Sequence, residues 1–131
     1  MRDSEKAPVV LVAANQDFLN DLRDALVDTN LALLHAQTKT EAITLLERLT
    51  SEIHLAIVEL ELPDFGAWDL IRKLTFEKPL KIIATTSTYP EQHFERIKGL
   101  GVDAVVPTAI PPEEWVKTVE AVLATTTSAS A

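Results

Sequence analysis

The residues of this chain that could do chemistry lie at the ends of short apolar segments. Glu59, Thr86 and Thr108 each close such a segment, and Thr86 belongs to a run of hydroxyl residues over 85–88. A carboxylate and several hydroxyls can exchange hydrogen bonds, but no basic residue accompanies them. The set lacks a nucleophile–base pair, and the GxSxG motif that carries the nucleophile of serine hydrolases is absent.

Other familiar kinds of site are excluded by residue type. The chain has no cysteine, so disulfides, thiolate zinc sites and thiol nucleophiles cannot form. Its three glycines are too few and too dispersed for a GxGxxG or Walker loop. The three histidines, His35, His54 and His93, lie in separate segments, and we interpret them as structural or surface residues.

The elements that must position these residues alternate along the chain. Runs rich in Val, Ile or Leu, typical of strands buried on both faces, occupy 9–13, 31–34, 55–58, 80–84 and 102–106. Helical periodicity follows them over 17–28, 40–49, 67–74, 90–100 and 112–123. Five strand–helix repeats predict a parallel sheet covered by helices on both faces. Because chemistry in such sheets lies at the carboxyl ends of the strands, the candidate residues should share one edge.

Size and charge set further limits. A chain of 131 residues predicts one domain, which we place at 8–124, with flexible ends at 1–7 and 125–131. A net charge of −8 disfavours direct binding to nucleic acid or to an anionic membrane. There is no apolar run of about 20 residues and no signal-peptide pattern at the start, so we expect a cytoplasmic location.

Four motifs, in order along the chain, resemble those of response regulator receiver domains. Glu59-Leu60-Glu61-Leu62-Pro63 and Gly66-Ala67-Trp68-Asp69-Leu70 resemble the segment around the family's phospho-acceptor. Gly101-Val102-Asp103-Ala104 and Pro112-Glu113-Glu114-Trp115 resemble the segments near its last strand and helix. The resemblance implies the flavodoxin-like (βα)5 fold, with strand order 2-1-3-4-5, and a role in two-component or phosphorelay signalling.

When the family's site residues are matched to this sequence position by position, the metal-binding residues are missing. The two acidic residues that hold magnesium in receivers correspond to Ala13 and Ala14, and the phospho-acceptor aspartate corresponds to Glu59. Magnesium requires hard oxygen ligands, usually one or two carboxylates from the protein. We therefore expect no metal site and no cofactor.

The remaining positions of the family's site are also changed. Its lysine corresponds to Thr108 and its aromatic switch residue to Val105, whereas the hydroxyl switch residue is kept as Thr86. Phosphoryl transfer depends on cations that neutralise the charge of the transferred group. Without magnesium and lysine, phosphorylation of Glu59 should fail.

These observations favour a degenerate receiver domain that is not an enzyme and acts by protein–protein recognition, independently of phosphorylation. Its partner would be a kinase, a phosphotransfer protein or an output domain, and a homodimer is a further option. Two alternatives stay open: a conventional receiver that accepts a phosphoryl group on Glu59, and a small-ligand binder that uses the vacated pocket. Glu59 itself is either a phosphoaspartate mimic or a strand-end acid that hydrogen-bonds Thr86.

An acidic stripe marks the first predicted helix. Asp17, Asp21, Asp24 and Asp28 follow one another at helical spacing, so they share one face. Such a stripe is either a solvated face or a docking edge for a basic partner.

Overall fold

The computed structural model describes residues 7–48, 53–62, 66–77, 80–87 and 94–130, where five strands alternate with five helices. The strands are β1 (Ala7–Val12), β2 (Leu31–Ala36), β3 (Leu55–Glu59), β4 (Lys81–Thr86) and β5 (Ala104–Pro107). The helices are α1 (Gln16–Leu26), α2 (Lys39–Arg48), α3 (Ala67–Glu77), α4 (Phe94–Lys98) and α5 (Pro112–Ser130).

The strands form one parallel sheet in the order β2-β1-β3-β4-β5, which confirms the predicted flavodoxin-like (βα)5 class. β1 lies between β2 and β3, so that Val10 is paired with Leu34 on one side and with Ala56 on the other. All five residues of β3 are buried. A strand covered on both faces cannot alternate apolar and polar side chains, which explains its continuous apolar sequence.

Two apolar cores cover the two faces of the sheet. One core joins the sheet to α1 and α5, and in it the rings of Phe18 and Trp115 lie 5.3 Å apart between centroids. The other core joins the sheet to α2, α3 and α4 through residues such as Leu46, Leu70 and Ile97. Trp115 is a core residue and is only 3% exposed.

α1 begins where the sequence supplies a cap. The side chain of Asn15 accepts a hydrogen bond of 3.1 Å from the backbone N–H of Phe18, which satisfies one of the free donors of the first turn. The helix therefore starts directly after Ala13 and Ala14 and fixes the direction in which the chain leaves β1.

β5 begins two residues later than predicted. Gly101 has a φ of 89°, a left-handed conformation that glycine adopts without steric cost. The chain then turns at Asp103, whose N–H donates to the carbonyl of Ile82 at 2.8 Å and whose Oδ2 accepts from the N–H of Ile82 at 2.8 Å. Asp103 thus ties the start of β5 to β4 before regular strand pairing begins at Ala104.

Of the five helices, α4 and α5 differ most from the sequence prediction. α4 covers Phe94–Lys98, whereas the prediction was 90–100, of which 90–93 lie outside the described residues. The backbone of α5 continues to Ser130, beyond the expected domain end at 124. Flexibility of 1–7 and 125–131 stays a prediction. No helix in the described part of the chain is long and apolar enough to cross a membrane.

The end of α1 offers a matched test of the core. Leu26 is 2% exposed and its neighbour Val27 is 63% exposed. We expect Leu26→Ala to lower the free energy of unfolding by about 2–4 kcal/mol, because it leaves a cavity under the helix. Val27→Ala should change it by less than about 0.5 kcal/mol. Urea denaturation of both variants measures the difference, and equal losses would contradict the assignment of the α1 core face.

Candidate functional site

The buried polar side chains of the described residues gather at one edge of the sheet. Glu59, Thr85 and Thr86 are the buried polar or charged residues in that part of the chain, and they end β3 and β4. Burial of a polar group is costly unless it is hydrogen-bonded, so the partners of these three side chains define what the edge can do.

Glu59 faces the end of β1. It is 5% exposed, and its Oε1 accepts a hydrogen bond of 3.0 Å from the backbone N–H of Ala14. The carbonyl of Ala13 belongs to the same peptide group and lies 2.7 Å from Nε2 of His35 on β2. One peptide group is therefore held at both ends, by Glu59 and by His35. In the described part of the chain no basic side chain forms an ion pair with Glu59.

Thr86 does not bind Glu59, and that sequence-based interpretation was wrong. The Thr86 hydroxyl donates to Oε2 of Glu61, and the backbone N–H of Ser87 donates to Oε1 of the same carboxylate at 3.2 Å. The reason is the course of the chain after β3. Leu60 stays tied to β4, because its N–H donates to the carbonyl of Thr85 at 2.9 Å. The next residue, Glu61, is thereby brought beside the end of β4.

Glu61 is thus a site residue that the sequence analysis missed. It stands two positions after Glu59, within the first motif of the family resemblance. A signal in the sequence could have identified Glu61. It is an acid just past the end of one strand, and a run of hydroxyl residues ends the next strand.

Thr108, which the family resemblance places at the position of the receiver lysine, is engaged within the fold. Its hydroxyl lies 3.1 Å from the hydroxyl of Thr85, and its N–H donates to the carbonyl of Thr86 at 3.0 Å. Its own carbonyl accepts from the indole N–H of Trp115 at 3.3 Å. Thr108 therefore joins β4 to α5 through neutral hydrogen bonds.

Val105, which the family resemblance places at the aromatic switch position, is half-buried. It pairs with Ala84 of β4 and packs against the core under α2, α3 and α4. A valine has no ring that could turn between an inner and an outer position.

The residues present do not fit the magnesium ion that the receiver fold implies. Ala13 and Ala14 supply no side-chain oxygen, one oxygen of Glu59 accepts from a backbone amide, and both oxygens of Glu61 accept from β4 donors. In the part of the chain that the structure describes, no three His, Asp or Glu side chains are placed so that they could hold a metal ion together. A hard cation needs several oxygen ligands that converge, and this edge does not provide them.

A cavity of about 310 Å³ lies between α1 and the start of α5. It is lined by Phe18, Asp21, Thr108, Ala109, Ile110, Pro111, Pro112 and Trp115. Of the site residues only Thr108 borders it, so it is not a pocket around Glu59. Its acidic member, Asp21, also belongs to the acidic stripe predicted on the first helix. All four aspartates of that stripe are exposed, but only three lie on α1, because the helix ends at Leu26 and Asp28 lies in the turn that follows.

No family model and no curated protein matches this chain. Among solved structures, it is similar to the signal receiver domain of a putative Luxo repressor protein from Vibrio parahaemolyticus, with 20% identity, a TM-score of 0.85 and 95% of each chain covered. It is also similar to the signal receiver domain of an HD domain-containing protein from Pseudomonas fluorescens Pf-5 (19% identity, TM-score 0.84, 96% of this chain and 93% of that chain).

A third similar structure is a CheY-like response regulator receiver domain protein from Methanospirillum hungatei JF-1. It has 18% identity and a TM-score of 0.81, over 94% of this chain and 98% of that chain. At these identities the likeness establishes the fold, which is that of response regulator receiver domains.

Substitution of Glu59 tests how the edge is stabilised. Burial of an ionised carboxylate without a cation lowers the stability of the fold by several kcal/mol, and one hydrogen bond to a charged group offsets about 1.5–3 kcal/mol of that loss. Glu59→Gln keeps an oxygen for the Ala14 amide and removes the charge, so we expect the free energy of unfolding at pH 7 to rise by about 0.5–1 kcal/mol. Glu59→Ala leaves that amide without its acceptor and should lower it by about 1–3 kcal/mol.

Guanidinium denaturation at pH 7 compares the three proteins. A Glu59→Gln protein that is clearly less stable than the wild type would mean that the negative charge itself is stabilised, by donors beyond the Ala14 amide.

Proposed function

We propose that this chain is a receiver-like signalling domain of a two-component or phosphorelay pathway, and that it works by protein–protein recognition without phosphorylation. The observation that carries the proposal is the state of Glu59 within a receiver fold. The acceptor-equivalent carboxylate is buried and hydrogen-bonded to the backbone of Ala14, at a position where the family resemblance places a metal-binding carboxylate.

The chemistry of phosphoryl transfer supports this proposal. The transferred group carries charge on its equatorial oxygens, and catalysis depends on cations placed against them. The position of the family's lysine is occupied by Thr108, whose hydroxyl is engaged with Thr85. An incoming acyl phosphate would therefore meet two carboxylates, Glu59 and Glu61, neither of which forms an ion pair with a basic side chain in the described part of the chain.

The surface around α1 supports recognition of a basic partner. The exposed stripe Asp17, Asp21, Asp24 and Asp28 provides negative charge, and the cavity beside Asp21 provides an apolar recess next to it. Complementary charge steers association and fixes the register of a complex. We assign this face to a helical partner, either a kinase or a phosphotransfer protein, that presents basic residues next to an apolar side chain.

The two alternatives are less well supported. A conventional receiver that uses Glu59 would need the carboxylate to leave the Ala14 amide and to react without a cation. A small-ligand binder in the vacated pocket would need a cavity beside Glu59, whereas the cavity described above lies between α1 and α5 and touches only Thr108 of the site.

Treatment with acetyl phosphate tests phosphorylation directly. We expect no added phosphoryl group on the intact protein, with or without magnesium, because the site provides no cation for the transferred charge. Intact-mass spectrometry measures the product, and a phosphorylatable receiver domain treated in parallel serves as the positive control. A magnesium-dependent adduct that disappears in Glu59→Gln would overturn the phosphorylation-independent function.

Neutralisation of α1 tests the partner surface. The double variant Asp21→Asn/Asp24→Asn should bind a sensor-kinase phosphotransfer domain about 2–30-fold more weakly, because each of the two exposed ion pairs contributes about 0.2–1 kcal/mol. Its affinity should also depend less on salt, since these charges are screened by ions. Calorimetry at two salt concentrations gives both quantities. Glu120→Gln, an exposed acid on α5, is the control, and an equal loss there would contradict the α1 assignment.

A further inference from the structure

Glu61 is arranged differently from the other described acids of the sheet edge, because both its carboxylate oxygens bind the end of one strand. Oε2 accepts from the hydroxyl of Thr86, and Oε1 accepts from the backbone N–H of Ser87 at 3.2 Å. Thr86 is fully buried, so its hydroxyl is aimed at Glu61 from a position that water does not reach. The carboxylate and these two donors form a closed contact between the turn after β3 and the end of β4.

We propose that the Glu61 carboxylate is a built-in oxyanion, which occupies the two donors at the end of β4 and holds this end of the sheet in one arrangement. A hydroxyl and a backbone N–H that converge on one negatively charged group form the donor set that also binds the oxygens of a phosphate or phosphoryl group. Glu61 supplies that anion from within the chain. An external oxyanion would have to displace it and would meet its negative charge.

The proposal separates the roles of the two neighbouring acids. Glu59 is nearly buried and binds the end of β1, whereas Glu61 is exposed and binds the end of β4. The carboxylate that occupies the donors at the end of β4 therefore belongs to Glu61 and not to Glu59, which is the residue at the acceptor position. The inference rests on the proposed function in one respect: it explains how a receiver-like domain presents one surface at the end of β4 without a phosphoryl group.

The contact also has a structural consequence at the neighbouring strand. The carbonyl of Thr86 accepts from the N–H of Thr108 at 3.0 Å, and the hydroxyl of Thr85 lies 3.1 Å from that of Thr108. Glu61 therefore holds a strand end to which β5 is attached, and its removal should loosen the ends of both β4 and β5.

A double-mutant cycle between Glu61→Ala and Thr86→Val measures the contact. Valine keeps the shape of threonine and removes the hydroxyl, and Glu61 is exposed, so both variants should fold. We expect a coupling of at least threefold in the equilibrium constant of unfolding, from urea denaturation of the wild type, both single variants and the double variant. The control cycle pairs Thr86→Val with Glu41→Ala, since Glu41 accepts from the N–H of Gln37 in a comparable exposed contact far from β4. That cycle should give no coupling.

Two NMR measurements keep the proposal testable if the double variant fails to fold. In Glu61→Ala the amide of Ser87 should exchange with solvent about tenfold faster than in the wild type, whereas Glu41→Ala should leave it unchanged. Inorganic phosphate added to the wild type should cause no saturable shift of the Ser87 amide, because Glu61 occupies that donor.

The proposal is overturned by a coupling no larger than that of the control cycle, by unchanged Ser87 exchange in Glu61→Ala, or by saturable phosphate binding at Ser87 in the wild type. These results are independent of the acetyl phosphate experiment. An adduct on Glu59 would refute the proposed function and leave the Glu61 contact standing, whereas loss of coupling would refute the contact and leave the proposed function standing.

Discussion

The burial of β1, β3 and β4 on both faces is the constraint on which the rest of the structure depends. A parallel strand under helices on both sides has no solvent face, so its side chains are apolar until the chain reaches the edge of the sheet. Polar groups are thereby confined to the last residues of the strands and to the turns that follow. This is why Glu59 lies at the same edge as Thr85 and Thr86, although it is far from them along the chain.

Much of the fold could be predicted from the sequence because apolar periodicity reflects this burial directly. The run Leu55-Ala56-Ile57-Val58 predicts a doubly covered strand, and it is β3. The start of β5 could not be placed in this way, because Val102 continues the apolar pattern of Val105 and Val106. A left-handed Gly101 and the two hydrogen bonds between Asp103 and Ile82 decide where that strand begins, and neither changes the hydropathy of the segment.

The site was predictable as a place but not as a set of contacts. The sequence indicates which residues come to the edge, since each follows an apolar run. It does not indicate which way a carboxylate turns when two of them, Glu59 and Glu61, stand two positions apart. That choice depends on distances of a few ångströms between strand ends that are far apart along the chain. Glu59 meets the amide of Ala14, and Glu61 meets Thr86 and Ser87.

The two margins of the sheet carry unequal risks of aggregation. β5 has four residues and ends in Pro107, which has no backbone N–H to offer to a neighbouring chain. β2, at the opposite margin, has six residues, LALLHA, of which only His35 is not apolar. A long apolar edge strand is a template for intermolecular β-pairing. The His35 side chain that reaches over to Ala13 is therefore also the single polar interruption of the strand most prone to such pairing.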